Sequence, residues 1–334
     1  MLSRREALLT LGAAGAAPFA QSTASPAARA FRYLHYDVFT DAALAGNQLA
    51  VFTNPAGLSA DDMARITREM NFSECTFIYP AEQAGTDLRL RIFGLGGEMP
   101  FAGHPVIGST FALAQEKLIK PGQARVVFGL GLGPTPVDLE WTPSTSSGQG
   151  ASLAFAWMTQ QRPTFGPTLD ARDQMAAVLG VDAGTLRANL PIQEISCGSA
   201  FFYVPLTTRA AVDQAVLDPR ANEAMFKQAG LTRRGVFVFS TEAGSDGSTV
   251  YSRMLGAGRE DPATGSASGP LGCYLVKHGL VSPDRAAQIV SSQGVKMGRP
   301  SRIHIRIAGT PDSITEVKVG GASVLVGDGR ITRI

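Results

Sequence analysis

Three polar side chains lie at the edges of apolar or glycine-rich stretches, where they can do proton chemistry. Glu74 stands in "NFSECTF" at the entrance to an apolar strand, a position that raises the pKa of a carboxyl group and suits it to carry a proton. His104 lies between Gly103 and Pro105 in "MPFAGHPVIGS", and an imidazole there can hold a carboxylate or relay a proton. Asp261 precedes a proline in "REDPATGS", where it can cap a helix or hold an ammonium group.

Two glycine-rich turns, at residues 103–105 and 264–266, each precede a helix of mostly small residues. Helix N-termini present free backbone N–H groups and the positive end of the helix dipole. If both face one cleft, they form a site for a carboxylate and, for an enolate-like intermediate, an oxyanion site. The stretch "GLGLGPT" at 129–135 is not a phosphate loop, because no G-x-G-x-x-G precedes a helix there.

Each of these residues also has a plain structural explanation when it is taken alone. A histidine at a helix start is more often structural than catalytic, and an aspartate before a proline is a common turn residue. Glu74 alone can be an exposed strand charge. The conjunction of an acid in a strand with two matching glycine turns favours the functional interpretation.

The pattern along the chain predicts the elements that position these residues. Strands are predicted at "FRYLHYDVFT", "LAVF", "SECTFIY" and "DLRLRIF", and later at "GVFVFS", "STVYSRML", "RIHIRI", "ITEVKV" and "ASVLVG". Ser59 and Asp62 predict a capping box at a helix start, and Asn71 predicts a left-handed helix end. Further helices are predicted around 171–180 and 220–229 and after both glycine turns.

The two halves repeat one plan of strands, a glycine-rich turn and a small-residue helix, which predicts an internal duplication. We expect an α/β (α+β) fold with two pseudo-symmetric domains, at 31–150 and 151–334, the first completed by a C-terminal strand. The polar, low-complexity segment "TPSTSSGQGA" at 142–151 is the predicted connection. The site is expected in the cleft between the domains.

Residues 1–30 have the layout of a bacterial export signal of the twin-arginine type. Arg4 and Arg5 precede a weakly apolar stretch that ends in small-residue cleavage sites. This predicts a periplasmic protein, or a cytoplasmic one if the signal is not functional. The alternative is a disordered or membrane-dipping arm. No run of about 18 apolar residues follows, so no membrane contact is expected after cleavage.

The charge balance and the cysteine content argue against a nucleic-acid-binding protein, a metal site of cysteines and a disulfide-stabilised fold. Basic and acidic residues are equal in number beyond residue 30, so the sequence pI of about 8.5 does not indicate nucleic-acid binding. Cys75, Cys197 and Cys273 are odd in number and widely spaced, which fits neither a metal site nor a disulfide framework. We expect free, mostly buried thiols, no metal and no cofactor.

From about Tyr33 to Asp328 the chain resembles the PhzF-like phenazine biosynthesis family, which has the diaminopimelate epimerase-like fold. The matching stretches are "DVFT…GNQLAVF", "NFSECTF", "RIF…GEMPFAGHPVIGST", "EDPATGSASGPLGCYL", "QGVKMGRPSRI" and "VKVGGASVLV". The resemblance implies that each domain wraps a strongly curved, mostly antiparallel sheet around a central helix. It also implies a homodimer that needs no cofactor or metal. In the phenazine enzyme, one glutamate moves a proton between ring carbons of trans-2,3-dihydro-3-hydroxyanthranilate.

The resemblance also implies roles for individual residues. Glu74 corresponds to the proton-carrying glutamate, and His104 and Asp261 correspond to residues that hold and polarise the substrate. Ser73, beside the acid, is implied to orient it. Hydrogen bonds to the substrate carboxylate are implied for three further residues, namely Gly103, Gly265 and Ser266.

The chain departs from the family pattern at several points. Cys75 stands where a threonine is common, Gly94 and Leu95 replace a usual Thr-Pro, and an export signal is unexpected for a phenazine-pathway enzyme. These departures bear on the substrate more than on the fold or the proton chemistry. Two other functions remain open: a two-cysteine epimerase or racemase of the same fold, and an exported small-molecule binding protein without catalysis.

Overall fold

The computed structural model describes residues 30–143, 151–256 and 259–332. The predicted export signal at 1–30 lies outside these ranges except for its last residue, and the predicted connection at 142–151 lies mostly outside them. Within the described ranges, no helix is long and apolar enough to cross a membrane.

The described part of the first half, residues 30–143, contains seven strands and two α-helices. They are β1 Ala30–Val38, β2 Asn47–Phe52, α1 Ala60–Met70, β3 Glu74–Pro80, β4 Leu88–Gly94, β5 Gly97–Met99, α2 His104–Gln115, β6 Arg125–Leu130 and β7 Gly133–Trp141.

The second half is described over residues 151–256 and 259–332. Its elements are β8 Leu153–Gln160, β9 Thr164–Thr168, α3 Arg172–Leu179, β10 Gln193–Ser196, β11 Ala200–Pro205, α4 Arg209–Gln214, α5 Pro219–Gln228, β12 Gly235–Ser240, β13 Val250–Leu255, β14 Glu260–Asp261, α6 Gly265–Lys277, β15 Ile289–Gln293, β16 Ser301–Thr310, β17 Ser313–Gly321 and β18 Ser323–Thr332.

All the strands belong to one curled sheet in which the same series of pairings occurs twice. From β1 to β7, through β2, β3, β4 and β6, successive pairs are antiparallel, parallel, antiparallel, parallel and antiparallel. The same series runs from β10 to β16 through β11, β12, β13 and β15. The short strands β5 and β14 extend β4 and β13 at equivalent places. This repetition confirms the predicted pseudo-symmetric α/β fold.

Two connections join the halves into one sheet. At the centre, β8 lies between β7 and β17 and pairs antiparallel with both. At the edge, β18 returns from the end of the chain and pairs antiparallel with β1, with Ala30 opposite Thr332 and Val38 opposite Ser323. The first half therefore receives a neighbour for β1 from the last strand of the described chain.

The central helices α2 and α6 are buried on nearly all sides. In α2 every residue from His104 to Leu113 is buried, and in α6 every residue up to Val276. A helix without a polar face has to lie inside a core, and here the sheet curves around each one. Small residues allow this close approach: a Cβ at Gly108 would lie 2.6 Å from the Leu49 side chain.

Helix α1 is bounded by the predicted signals. The Ser59 side chain accepts from the backbone N–H of Asp62, and the Asp62 side chain accepts from the backbone N–H of Ser59, which confirms the capping box. Asn71 ends the helix in a left-handed conformation with φ 53°. Because this turn comes three residues before Glu74, it sets the point at which β3 begins.

Candidate active site

Glu74 is the first residue of β3 and lies on the inner face of the sheet. Alternation along the strand sends Cys75 and Phe77 to an outer apolar cluster under α1, while Thr76 faces α2 and accepts a hydrogen bond from Ser109. The Glu74 side chain is 17% exposed. Its carboxyl group is therefore held beside the start of α2 rather than in solvent, so it is not the exposed strand charge that remained possible from sequence.

His104 is the first residue of α2, and its side chain is only 4% exposed. Gly103 provides the N-cap position, and Pro105 fits the first turn because the backbone N–H it lacks has no helical acceptor there. The Nε2 atom of His104 lies 3.4 Å from Oε2 of Glu74. The structure thus brings together the first residue of β3 and the first residue of α2, between which β4 and β5 lie in sequence.

Asp261 joins the same cluster from the second half. Its Oδ1 accepts from the Asn47 amide at 2.7 Å and from the Ser73 hydroxyl at 3.1 Å, and its Oδ2 accepts from the Thr264 hydroxyl at 2.5 Å. Two outcomes differ from the expectations. Asp261 accepts hydrogen bonds from side chains and does not cap α6. The Ser73 hydroxyl donates its hydrogen bond to Asp261 and does not orient Glu74.

The N-termini of α2 and α6 touch each other. A Cβ at Gly103 would lie 2.3 Å from the backbone nitrogen of Ser266 and 2.6 Å from Cα of Gly265. The two glycine-rich turns therefore meet at one point, as the sequence predicted. Only residues without a side chain allow two backbones to approach so closely.

Burial shifts the pKa values of the three ionisable groups. Burial, and then the charge of Asp261, raise the pKa of Glu74 to about 8, and Arg259 opposes this shift. Burial lowers the pKa of His104 to about 3, although a backbone hydrogen bond with Gln48 opposes it. Burial also raises the pKa of Asp261, against the hydrogen bonds that it accepts. Near neutral pH, the imidazole is therefore uncharged and Glu74 is mostly protonated.

The pKa of Glu74 predicts a loss of stability at alkaline pH. Between its ordinary pKa of 4.5 and about 8, folded Glu74 keeps a proton that the unfolded chain releases, so stability falls as pH rises. The lowered pKa of His104 acts oppositely, but only between about 3 and 6.5. From pH 6.5 to 8.5 we expect the thermal unfolding midpoint to fall in the wild type and to fall much less in Glu74→Gln. Equal slopes for the two proteins would contradict the assignment.

Sequence reasoning missed three residues that take part in the site or adjoin it. Asn47 and Gln293 are buried; the Gln293 amide donates to the Asp261 carbonyl at 2.8 Å and to the Thr264 hydroxyl at 3.0 Å. Arg259 donates to Asn71 at the end of α1. Asn47 lies in the quoted stretch "GNQLAVF", where a polar residue at the start of an apolar strand was the available signal.

The cysteines lie apart from the helix starts. All three are buried and free, as predicted; Cys75 faces the outer cluster, and the thiols of Cys197 and Cys273 lie 3.9 Å apart in the core of the second half. Burial raises the pKa of Cys75 to about 12. Among the described residues, no three His, Cys, Asp or Glu side chains come together as a metal site would require.

Two halves of like topology, whose central helices begin at one point beside a buried acid, define the epimerase type of α/β fold. A hydroxyproline epimerase from Agrobacterium vitis superposes with a TM-score of 0.56 at 14% identity, covering 91% of this chain and 93% of that one. A PhzF-family phenazine biosynthesis protein from Bacillus anthracis gives 0.77 at 21% identity, covering 91% and 99%. The family model for phenazine biosynthesis-like proteins (PhzC-PhzF) matches residues 36–329, and the chain belongs to this family.

One relative gives the family a chemical activity. The trans-2,3-dihydro-3-hydroxyanthranilate isomerase of Pseudomonas chlororaphis is 34% identical over 300 residues, which cover 90% of this chain and 98% of that protein. Glu74, His104 and Asp261 all lie within the matched range.

Proposed function

We propose that the chain is a PhzF-family isomerase that moves a proton on a small carboxylate-bearing substrate, with Glu74 as acid and base. The observation that carries the proposal is the environment of Glu74. Its carboxyl group is largely buried, and Oε2 lies 3.4 Å from Nε2 of His104 at the point where two helix N-termini meet. Its pKa of about 8 suits a group that must both take and return a proton near neutral pH.

The proton shift balances without an oxidant or reductant. The step starts from the ionised form of Glu74, which is the minor form at neutral pH because its pKa is about 8. This carboxylate takes a proton from a substrate carbon, and the electron pair of that C–H bond enters the conjugated system. The protonated Glu74 then returns the proton to a different carbon, where a new C–H bond forms. Substrate and product have the same composition, so the reaction is an isomerisation, and we propose that no cofactor is needed.

The helix starts supply the substrate's carboxylate site in this proposal. The backbone N–H groups of His104, Gly265 and Ser266 have no acceptor among the described residues. Together with Gly103 they lie where both helix dipoles present their positive ends. His104 and Asp261 hold the rest of the substrate against Glu74.

The first substrate to test is trans-2,3-dihydro-3-hydroxyanthranilate, because a relative of 34% identity is named for its isomerisation. The purified full chain is incubated with this compound in D2O, and product and deuterium content are followed by NMR and mass spectrometry. Isomerised product supports both chemistry and substrate. Deuterium exchange into another carboxylate compound, found with a metabolite library, supports the chemistry with a different substrate. Tight binding of a ligand without exchange or turnover favours a binding protein.

The two-cysteine mechanism has no observation in its favour here. Its thiols belong at the two glycine-rich turns, which hold His104 and Ser266, and all three thiols are buried elsewhere. Periplasmic localisation and a homodimer remain proposals. A mature N-terminus near residue 25 or 31 in a periplasmic extract tests the first, and light scattering of the purified chain tests the second.

A further inference from the structure

Asn47 connects the two halves at the centre of the site. It is buried at the start of β2, and its Nδ2 lies 2.7 Å from Oδ1 of Asp261 and 3.0 Å from the Ala263 carbonyl, both in the second half. The same nitrogen lies 3.1 Å from Nδ1 of His104 in the first half. One amide group therefore contacts two of the three ionisable side chains of the site.

The number of hydrogens on this amide decides how they are used. Nδ2 of Asn47 carries two hydrogens, and the two nearest acceptors are the oxygens of Asp261 and Ala263. If the amide oxygen and nitrogen of Asn47 were exchanged, the oxygen would face two acceptor oxygens with no hydrogen between them. The orientation of the amide is therefore fixed. No amide hydrogen is left for Nδ1 of His104. A hydrogen bond with the backbone of Gln48 raises the pKa of the imidazole, so the ring is its donor. Because Nε2 has no hydrogen-bond partner among the described residues, we assign this donor to Nδ1.

In this arrangement Nε2 of His104 carries no proton, and its lone pair can accept a hydrogen bond. Nε2 is buried and has no hydrogen-bond partner among the described residues, and the same is true of Oε2 of Glu74. The two atoms lie 3.4 Å apart. Two bare acceptors would repel each other, whereas a proton on the Glu74 carboxyl group satisfies both. The site is thus built for one proton between these atoms.

We propose that Asn47 is a positioning residue that keeps His104 in its Nδ1–H tautomer and so makes Nε2 the acceptor for the Glu74 proton. Because the same amide donates to Asp261, Asn47 also fixes the position of Asp261 relative to His104 and Glu74. The inference rests on the proposed function for its catalytic meaning, but the tautomer itself is a property of the resting protein.

The tautomer is measured by nitrogen NMR on full-length chain labelled with ¹⁵N-histidine. The chain has only four histidines, and the signal of His104 is assigned with the variant His104→Gln. At neutral pH we expect a protonated Nδ1 and an unprotonated Nε2 in the wild type, and a mixture of tautomers in Asn47→Ala. A protonated Nε2 in the wild type overturns the proposal. This measurement needs no turnover, so it stands even if the proposed function fails.

Turnover provides the second measurement. We expect Asn47→Ala to lower kcat about 10–100-fold with little change in KM, the scale known for hydrogen-bond partners that orient metal-ligating side chains. Asn54→Ala is the matched control, because Asn54 is exposed just after β2, and it should behave as the wild type. Unchanged kcat in Asn47→Ala overturns the proposal. Thermal unfolding shows whether Asn47→Ala folds. If it does not fold, the nitrogen NMR spectrum of the wild type alone tests the tautomer of His104.

Discussion

Replacement of Glu74 by glutamine is expected to lower kcat by about 10²–10⁴-fold, the usual contribution of a positioned acid and base. Glutamine keeps the size and the hydrogen-bonding shape of a neutral carboxyl group but cannot carry a proton. Since Glu74 is mostly neutral near pH 7, the folded structure should tolerate the change, and KM should vary little. Isomerisation of trans-2,3-dihydro-3-hydroxyanthranilate, or of the substrate found by deuterium exchange, is the measurement.

The matched control is Glu69→Gln. Glu69 is exposed on α1, five positions before Glu74, and should show wild-type kcat. Wild-type turnover by Glu74→Gln would remove Glu74 from the mechanism and leave His104 or Asp261 as the proton carrier. Equal losses in both glutamine variants would point to a general effect of α1 and β3 on folding.

Replacement of Gly103 by alanine is expected to force the starts of α2 and α6 apart. The added Cβ would lie 2.3 Å from the backbone nitrogen of Ser266 and 2.5 Å from the backbone carbon of Gly265. These are backbone atoms of the other helix and cannot swing away as a side chain can. Overpacking of this kind costs about 1–3 kcal/mol in the free energy of unfolding. Because the proposed carboxylate site lies at the same contact, we expect catalysis to be lost as well.

Gly96→Ala is the control for this prediction. Gly96 lies in the turn between β4 and β5, and a Cβ there would meet no atom within 4 Å. Chemical denaturation should therefore give a lower free energy of unfolding for Gly103→Ala but a nearly unchanged one for Gly96→Ala. Unchanged stability and turnover in Gly103→Ala would mean that the helix starts need not touch for the site to work.

Local features of the fold could be predicted because their causes lie close together in sequence. The capping box of α1 depends on two side chains three residues apart, and the helix end depends on one asparagine. The burial of Glu74 followed from the apolar strand that it precedes. The repeated order of strand, glycine turn and helix predicted that His104 and Asp261 would approach the same point.

The polar network around Asp261 could not be predicted in the same way. Its bonds to Asn47 and Ser73 span 214 and 188 residues, so only the assembled sheet brings the partners together. A serine next to a glutamate in sequence suggested that the two interact. The Ser73 hydroxyl instead donates to the aspartate of the other half, a contact that only the assembled fold creates.

The pairing of β18 with β1 affects how the chain is made as well as how it is built. During synthesis, β1 emerges from the ribosome before the other described strands, and its partner β18 emerges after all of them. Until then one edge of β1 has unpaired backbone N–H and C=O groups, which can pair with other chains. The nascent first half therefore keeps one open sheet edge until β18 has been made, and the site can form only after Asp261 of the second half has been made.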